Sequence, residues 1–148
     1  MMLTDALLGE HAVFYAQFDR LEAELPHTHS ATEVREQAAL LASALVSHAK
    51  LEDELLFAPL AKAGGDAGLL QVMEEEHEQI ALGLERAQGT NDVERARTEL
   101  LEAVSLAREH FAREERLTFP QAVSLLGAAT LRAFGGVWAE RRSVHLEW

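Results

Sequence analysis

Apolar residues recur at alternating steps of four and three along four stretches of this chain, the spacing that lines one face of an α-helix. The first stripe is Leu7, His11, Phe14, Phe18, Leu21 and Leu25. The second is Val34, Ala38, Leu41, Leu45, His48, Glu52 and Leu55. The third is Leu70, Met73, His77, Ile80, Leu84 and Ala87. The fourth is Val93, Ala96, Leu100, Ala103, Ala107, His110, Glu114 and Leu117. Histidine interrupts each stripe at one level, and in two of them glutamate follows one turn later.

Capping residues and breakers bound these stretches. The first helix is expected from about Thr4 to Leu25, where Pro26 stops it. Ser30 and Glu33 suit a capping box for the second, which runs to near Pro59 and frays before Gly64-Gly65. Asp66 caps the third, which ends at Gly89; Asn91 or Asp92 caps the fourth, which reaches Phe119-Pro120. A shorter amphipathic tail follows, broken by Gly127 and Gly135-Gly136 before Arg141-Arg142. Short connections favour an all-α, up-down-up-down four-helix bundle over residues 4–119, with a helical tail at 120–148, in one domain.

The chain also repeats itself. His48-Ala-Lys-Leu-Glu52 leads to Phe57-Ala-Pro59, and His110-Phe-Ala-Arg-Glu114 leads to Phe119-Pro120. Glu10-His11 and Glu76-His77 stand 37 and 33 residues before the second histidine of each half. Two helical hairpins, each with one histidine on its first helix and H-x3-E on its second, would pack with pseudo-twofold symmetry.

Composition narrows the chemistry. At 148 residues with 48% apolar content, the chain suits one core that buries roughly two thirds of the unfolded surface. A net charge of -12, from 25 acidic and 13 basic residues, argues against nucleic acid or anionic lipid as partner. No apolar run is read as approaching the roughly 20 residues of a membrane span. The start Met1-Met2-Leu3-Thr4-Asp5 lacks a basic leader, so a cytoplasmic protein is expected. With no cysteine, any metal must sit on histidine and carboxylate, which points to harder metals, iron among them.

Residues four apart on a helix stand one turn above each other, so His48 with Glu52 and His110 with Glu114 each direct imidazole and carboxylate toward one point. Two ionised glutamates in an apolar seam would cost several kcal/mol each if unpaired (~3–5). Two dications offset that cost, with His11, His48, Glu52, His77, His110 and Glu114 as the metal ligands. Glu115 is an alternative to Glu114. Asp53, Glu54 and Glu75 leave the seam and are expected to be solvated or to support the ligands from outside. Tyr15 either projects toward the site or packs in the core, and His27, His29 and His145 are given no role. Six protein ligands on two ions leave open positions for O2, peroxide or NO.

With these residues laid out, the chain resembles the hemerythrin-like family of His-His-Glu cation-binding domains from about His11 to Pro120. The resemblance implies a non-haem di-iron cofactor, two Fe ions bridged by two carboxylates and an oxo or hydroxo group, inside a four-helix bundle. It makes His11 and His48 terminal ligands of one iron, His77 and His110 of the other, and Glu52 and Glu114 the bridges. Oxygen carriers of the family place two histidines four apart on the third helix; here the earlier place is Met73, and Glu74 or water is left to complete the second iron. The resemblance is therefore to members with four histidines and two glutamates. The expected function is binding O2 or a related small oxidant for sensing, storage or delivery. Alternatives are an enzyme acting on peroxide or NO, and an iron donor for damaged iron centres. The expected oligomeric state is a monomer, or a homodimer formed through Trp138 and the tail.

Overall fold

The computed structural model describes residues 1–145; the last three residues of the expected tail, 146–148, lie outside the described residues. Four long helices build the bundle: α1 (Leu3–Glu24), α2 (Ala31–Glu52), α4 (Ala67–Gln88) and α5 (Val93–Arg113), with the short α3 (Ala58–Lys62) extending α2 and α6 (Phe119–Arg141) extending α5. No strand occurs among the described residues. Local chemistry accounts for the helix starts. The Ser30 side chain accepts from the Glu33 amide, Asp66 from the Leu69 amide, and Asp92 from the amides of Glu94 and Arg95, which satisfies amides that have no partner within the helix. Pro26 falls in a turn of 3₁₀ helix, Leu25–His27, that closes α1.

Two apolar clusters fill the bundle, and the chain runs between them four times. One holds Phe14, Phe18, Val34, Leu41, Leu45, Ile80, Leu84, Leu100 and Phe111; the other holds Leu3, Leu7, Leu51, Leu55, Leu60, Met73, Phe119 and Leu131. α1 and α4 pass from the second cluster to the first, α2 and the run of α5 into α6 from the first to the second. That alternation is the up-down-up-down order that the pattern predicts. The histidine of each helix falls where it crosses from one cluster to the other, so the polar residues form one layer between two apolar ones.

Each H-x3-E segment runs into a π-helical turn, Asp53–Phe57 just after Glu52 and Glu114–Thr118 starting at Glu114 itself, closed by bonds from the Ala58 amide to the Asp53 carbonyl and from the Phe119 amide to the Glu114 carbonyl. Pro59 and Pro120 come immediately after. A proline clashes with the carbonyl four residues back in a regular helix, and a wider turn relieves that contact. The extra residue also rotates the face of the helix. Leu117, expected in the seam, is 44% exposed, while Thr118 and Phe119 are buried.

The tail differs from expectation in three ways. It runs on from α5 through the π turn, and of the expected breaks only the one at Gly127 is found, where φ 80° and ψ 161° divide Phe119–Arg141 into two helical pieces. Gly135 and Gly136 do not break it. Gly135 is where α6 crosses the start of α1, so closely that a Cβ there would stand 2.4 Å from the Met1 carbonyl oxygen. Third, an 18-residue window in Val93–Arg141 reaches mean hydropathy 1.3, and the charges of α5 confine that window to α6. By length and composition this helix is therefore apolar enough to cross a membrane, contrary to the reading that no run approaches a span; its alanines, glycines and leucines flank a single charge, Arg132. In the fold, Ala122, Leu131, Gly135 and Ala139 are its buried face, and α6 packs on α1 and α3.

Candidate metal centre

The polar layer brings six side chains to one place. His11, His48, Glu52 and Glu114 each offer an atom to a group lying within 4.8 Å of one another, and Glu52, His77, His110 and Glu114 form a second such group. Both glutamates belong to both groups. His48 Nε2 is 2.7 Å from Glu52 Oε1, His110 Nε2 is 3.0 Å from Glu114 Oε1, and His77 Nε2 is 3.2 Å from Glu52 Oε2. His11 Nε2 lies 3.7 and 3.6 Å from Glu52 Oε1 and Glu114 Oε1. Phe111 stacks on the His11 ring with centroids 3.9 Å apart, which seals that side of the layer with hydrocarbon.

These neighbours are close without being hydrogen-bonded. Nε2 of His11, His48 and His110 and all four oxygens of Glu52 and Glu114 are buried with no hydrogen-bond partner. Buried polar atoms are seldom left so, because each costs about 1–3 kcal/mol. Nitrogen and carboxylate atoms turned toward common points and satisfied by nothing in the protein fit a pair of cations.

The electrostatics agree. Burial alone would raise the Glu52 carboxyl, but the His48 charge and the imidazoles of His11, His48 and His77 close around it hold it well below the usual range. Glu114 goes the opposite way, pushed well above by burial and by the Glu52 charge beside it. Burial opposes a charge on His48, yet the Glu52 charge and the hydrogen bond to Glu10 raise its pKa to about 10. Two buried carboxylates without cations thus resist ionising together. A divalent ion in each group removes that conflict.

The residues around this cluster sort differently from the sequence alone. Glu115, considered in place of Glu114, lies in neither group; it accepts a 2.5 Å hydrogen bond from Tyr15 Oη and stands 3.9 Å from His11 Nδ1. Glu74 is exposed and also lies in neither group. Met73 is fully buried in the apolar cluster of Leu3, Leu7 and Phe119. Asp53 stands 3.8 Å from His77 Nδ1, Glu54 pairs with Arg141, and Glu75 accepts from Gln71. His27, His29 and His145 are exposed.

Sequence reasoning missed Glu10. Its Oε2 accepts from His48 Nδ1 at 2.6 Å, and its Oε1 accepts from Trp138 Nε1 at 2.8 Å and Arg142 Nε at 2.7 Å. Trp138 and Arg142 belong to the tail, so the tail closes on the layer from the end of the bundle. Glu76 is the counterpart on α4, with its Oε1 3.6 Å from His110 Nδ1 and an ion pair to Arg113. The available signal was the paired Glu10-His11 and Glu76-His77, in which the glutamates went unused.

An apolar recess of about 110 Å³ reaches the layer from between α2, α4 and α5. Leu45, Ile80 and Leu84 line it together with His48, His77 and His110, and Val46, 61% exposed, stands at its rim.

The family model described as hemerythrin HHE cation binding domain matches residues 2–123. No curated protein and no solved structure matches the chain.

Proposed function

This chain belongs to the hemerythrin HHE cation-binding family, and from that premise we propose that it is a non-haem di-iron protein that binds O2 or a related small oxidant for sensing, storage or delivery. The observation that carries the reading is the pair of histidine–glutamate groups sharing two buried glutamates. His11 and His48 would hold one iron and His77 and His110 the other, with Glu52 and Glu114 common to both. Two such ions supply redox-active metal with coordination positions that the six side chains leave open.

The chain's own residues set what can reach that metal. The recess of about 110 Å³ has room for roughly 7–11 water-sized molecules, since one needs about 10–15 Å³ on this measure, which is ample for O2, peroxide or NO. Its leucine and isoleucine walls suit an uncharged diatomic molecule better than an ion. Phe111 and Phe119, stacked near the His11 ring at 3.9 and 5.5 Å between centroids, keep bulk water from that side. Apolar walls and the phenylalanine seal favour binding of O2 over hydrolytic chemistry.

Tyr15 and Glu115 favour a second reading, an enzyme acting on peroxide or NO at the same centre. Burial and the adjacent Glu115 carboxylate raise the Tyr15 hydroxyl above its ordinary pKa, so it keeps its proton and donates a hydrogen bond to Glu115 beside His11. That places a hydrogen-bonding phenol, a group open to one-electron oxidation, at the edge of the centre. Anaerobic loading with ferrous iron, elemental analysis, and spectra under O2, peroxide and NO with turnover counted test both readings. About two irons per chain with an oxygen-dependent absorption band is expected. A limit of one iron, or tight zinc binding with no spectral response to oxidants, would sink the di-iron reading. Rapid peroxide or NO turnover in wild type that Tyr15→Phe abolishes would favour the enzyme.

A further inference from the structure

The internal repeat is longer than the ligand set. Glu10 and Glu76 immediately precede the first histidine of each half, and Asp53 and Glu115 immediately follow its glutamate. These four acidic residues meet the outer nitrogens of the four histidines. The approaches to Nδ1 are 2.6 Å for Glu10 on His48, 3.6 Å for Glu76 on His110, 3.8 Å for Asp53 on His77 and 3.9 Å for Glu115 on His11. The pairing obeys the pseudo-twofold symmetry. Glu10 and Glu76 each face a histidine of their own half, whereas Asp53 and Glu115 each face the first histidine of the other half.

At 3.6, 3.8 and 3.9 Å Glu76, Asp53 and Glu115 stand beyond hydrogen-bond reach and act by charge, whereas Glu10 accepts the hydrogen bond of His48 Nδ1 at 2.6 Å, which leaves the lone pair on Nε2, the atom turned into the ligand groups. That bond also fixes the plane of the ring and makes the imidazole a better donor. The four are held unequally. Glu10 is gripped by Trp138 and by Arg142, whose other nitrogens reach Ser47. Glu115 has the Tyr15 hydroxyl and Glu76 has Arg113, while the Asp53 side chain is 62% exposed.

Resting on the reading of the layer as a metal centre, we propose that Glu10, Asp53, Glu76 and Glu115 are positioning residues carried by the same repeat as the ligands, each biasing one imidazole, Glu10 by a hydrogen bond and the other three by charge. Glu10 matters most among them. Through Trp138 and Arg142 it ties the C-terminal end of α6, which lies beyond residues 2–123 of the family match, to the centre.

Co²⁺ is a suitable probe, because histidine N–H protons near it give strongly shifted NMR lines that disappear in D2O. Wild type should bind two Co²⁺ and show such lines. In Glu10→Ala one line should move or vanish by exchange with water, and Co²⁺ affinity should fall about 10- to 100-fold. Glu10→Gln, which still offers an oxygen to Nδ1–H, should keep the line and regain part of the affinity. Asp53→Ala should have the smallest effect of the four. Trp138→Phe, which leaves the carboxylate in place, should broaden the same line and weaken binding severalfold. Unchanged lines and affinity in Glu10→Ala, with wild-type helicity, would overturn the proposal while leaving the metal centre intact. If Glu10→Ala does not fold, unchanged lines and affinity in Trp138→Phe overturn it instead. Failure of wild type to bind Co²⁺ at all would overturn both readings.

Discussion

Glu52 and Glu114 are members of both ligand groups, whereas each histidine is a member of one. Glu52→Ala should therefore leave almost no metal after iron loading and desalting, while His11→Ala should keep about one ion per chain. Elemental analysis of the two variants side by side decides it, and equal retention would mean that Glu52 is not shared. Glu10 gives a prediction for the metal-free protein. Burial pushes its carboxyl up, but hydrogen bonds from His48, Arg142 and Trp138 and the His48 charge together bring its pKa from 4.5 down to about 2. A depressed carboxyl contributes stability that is fully present above the unfolded value and is lost as pH falls through the folded one. The contribution is on the order of 3 kcal/mol. Denaturant titrations should thus find Glu10→Gln less stable than wild type at pH 6, with the gap closing between about pH 4.5 and 2. A gap independent of pH would show that Glu10 acts by shape and not by charge.

Among the helices, the sharpest dependence on sequence lies where α6 crosses the first residues of α1. A Cβ on Gly135 would stand 2.4 Å from the Met1 carbonyl oxygen and 3.3 Å from the Leu3 amide nitrogen, whereas one on Gly136 meets nothing within 4 Å. Gly135→Ala should destabilise the protein by about 1–3 kcal/mol, and Gly136→Ala should be neutral or stabilise by up to about 1 kcal/mol. Thermal melts check the pair, at roughly 2–4 °C per kcal/mol. The seams made the helices and their shared polar level legible, because a stripe at steps of four and three is itself the geometry of a buried helix face. Residue types do not reveal where the backbone changes its hydrogen-bond register. The π turn after Glu114 was invisible for that reason, and Leu117 was assigned to a face that the turn rotates away. Gly135-Gly136 looked like a break because a glycine pair weakens an isolated helix; here it admits a neighbouring backbone. Glu10 reaching His48 depends on the rotation of α1 against α2, which a pattern along one helix does not encode.

As a whole, the molecule is a bundle whose middle layer gathers two buried carboxylates among four imidazoles, an arrangement that added positive charge stabilises. Loading with metal should raise the melting temperature, by linkage worth about 4 kcal/mol when free metal exceeds Kd a thousandfold. Acidification should release the ions, because histidine and glutamate must give up protons to bind them. Calorimetry of loaded and stripped protein across pH measures both. The enclosure is also lopsided. The side chains of His11, His48 and His110 are at most 2% exposed, but that of His77 is 16% exposed. Among the described residues the layer's most exposed imidazole is His77, so the two proposed ion positions, though of similar composition, would differ in how fast their contents turn over. A chelator should empty the His77–His110 position first and stall before the one buried behind Phe111. Brief chelation followed by a second metal would then give a protein with two different ions in a defined order, and each half could be observed separately.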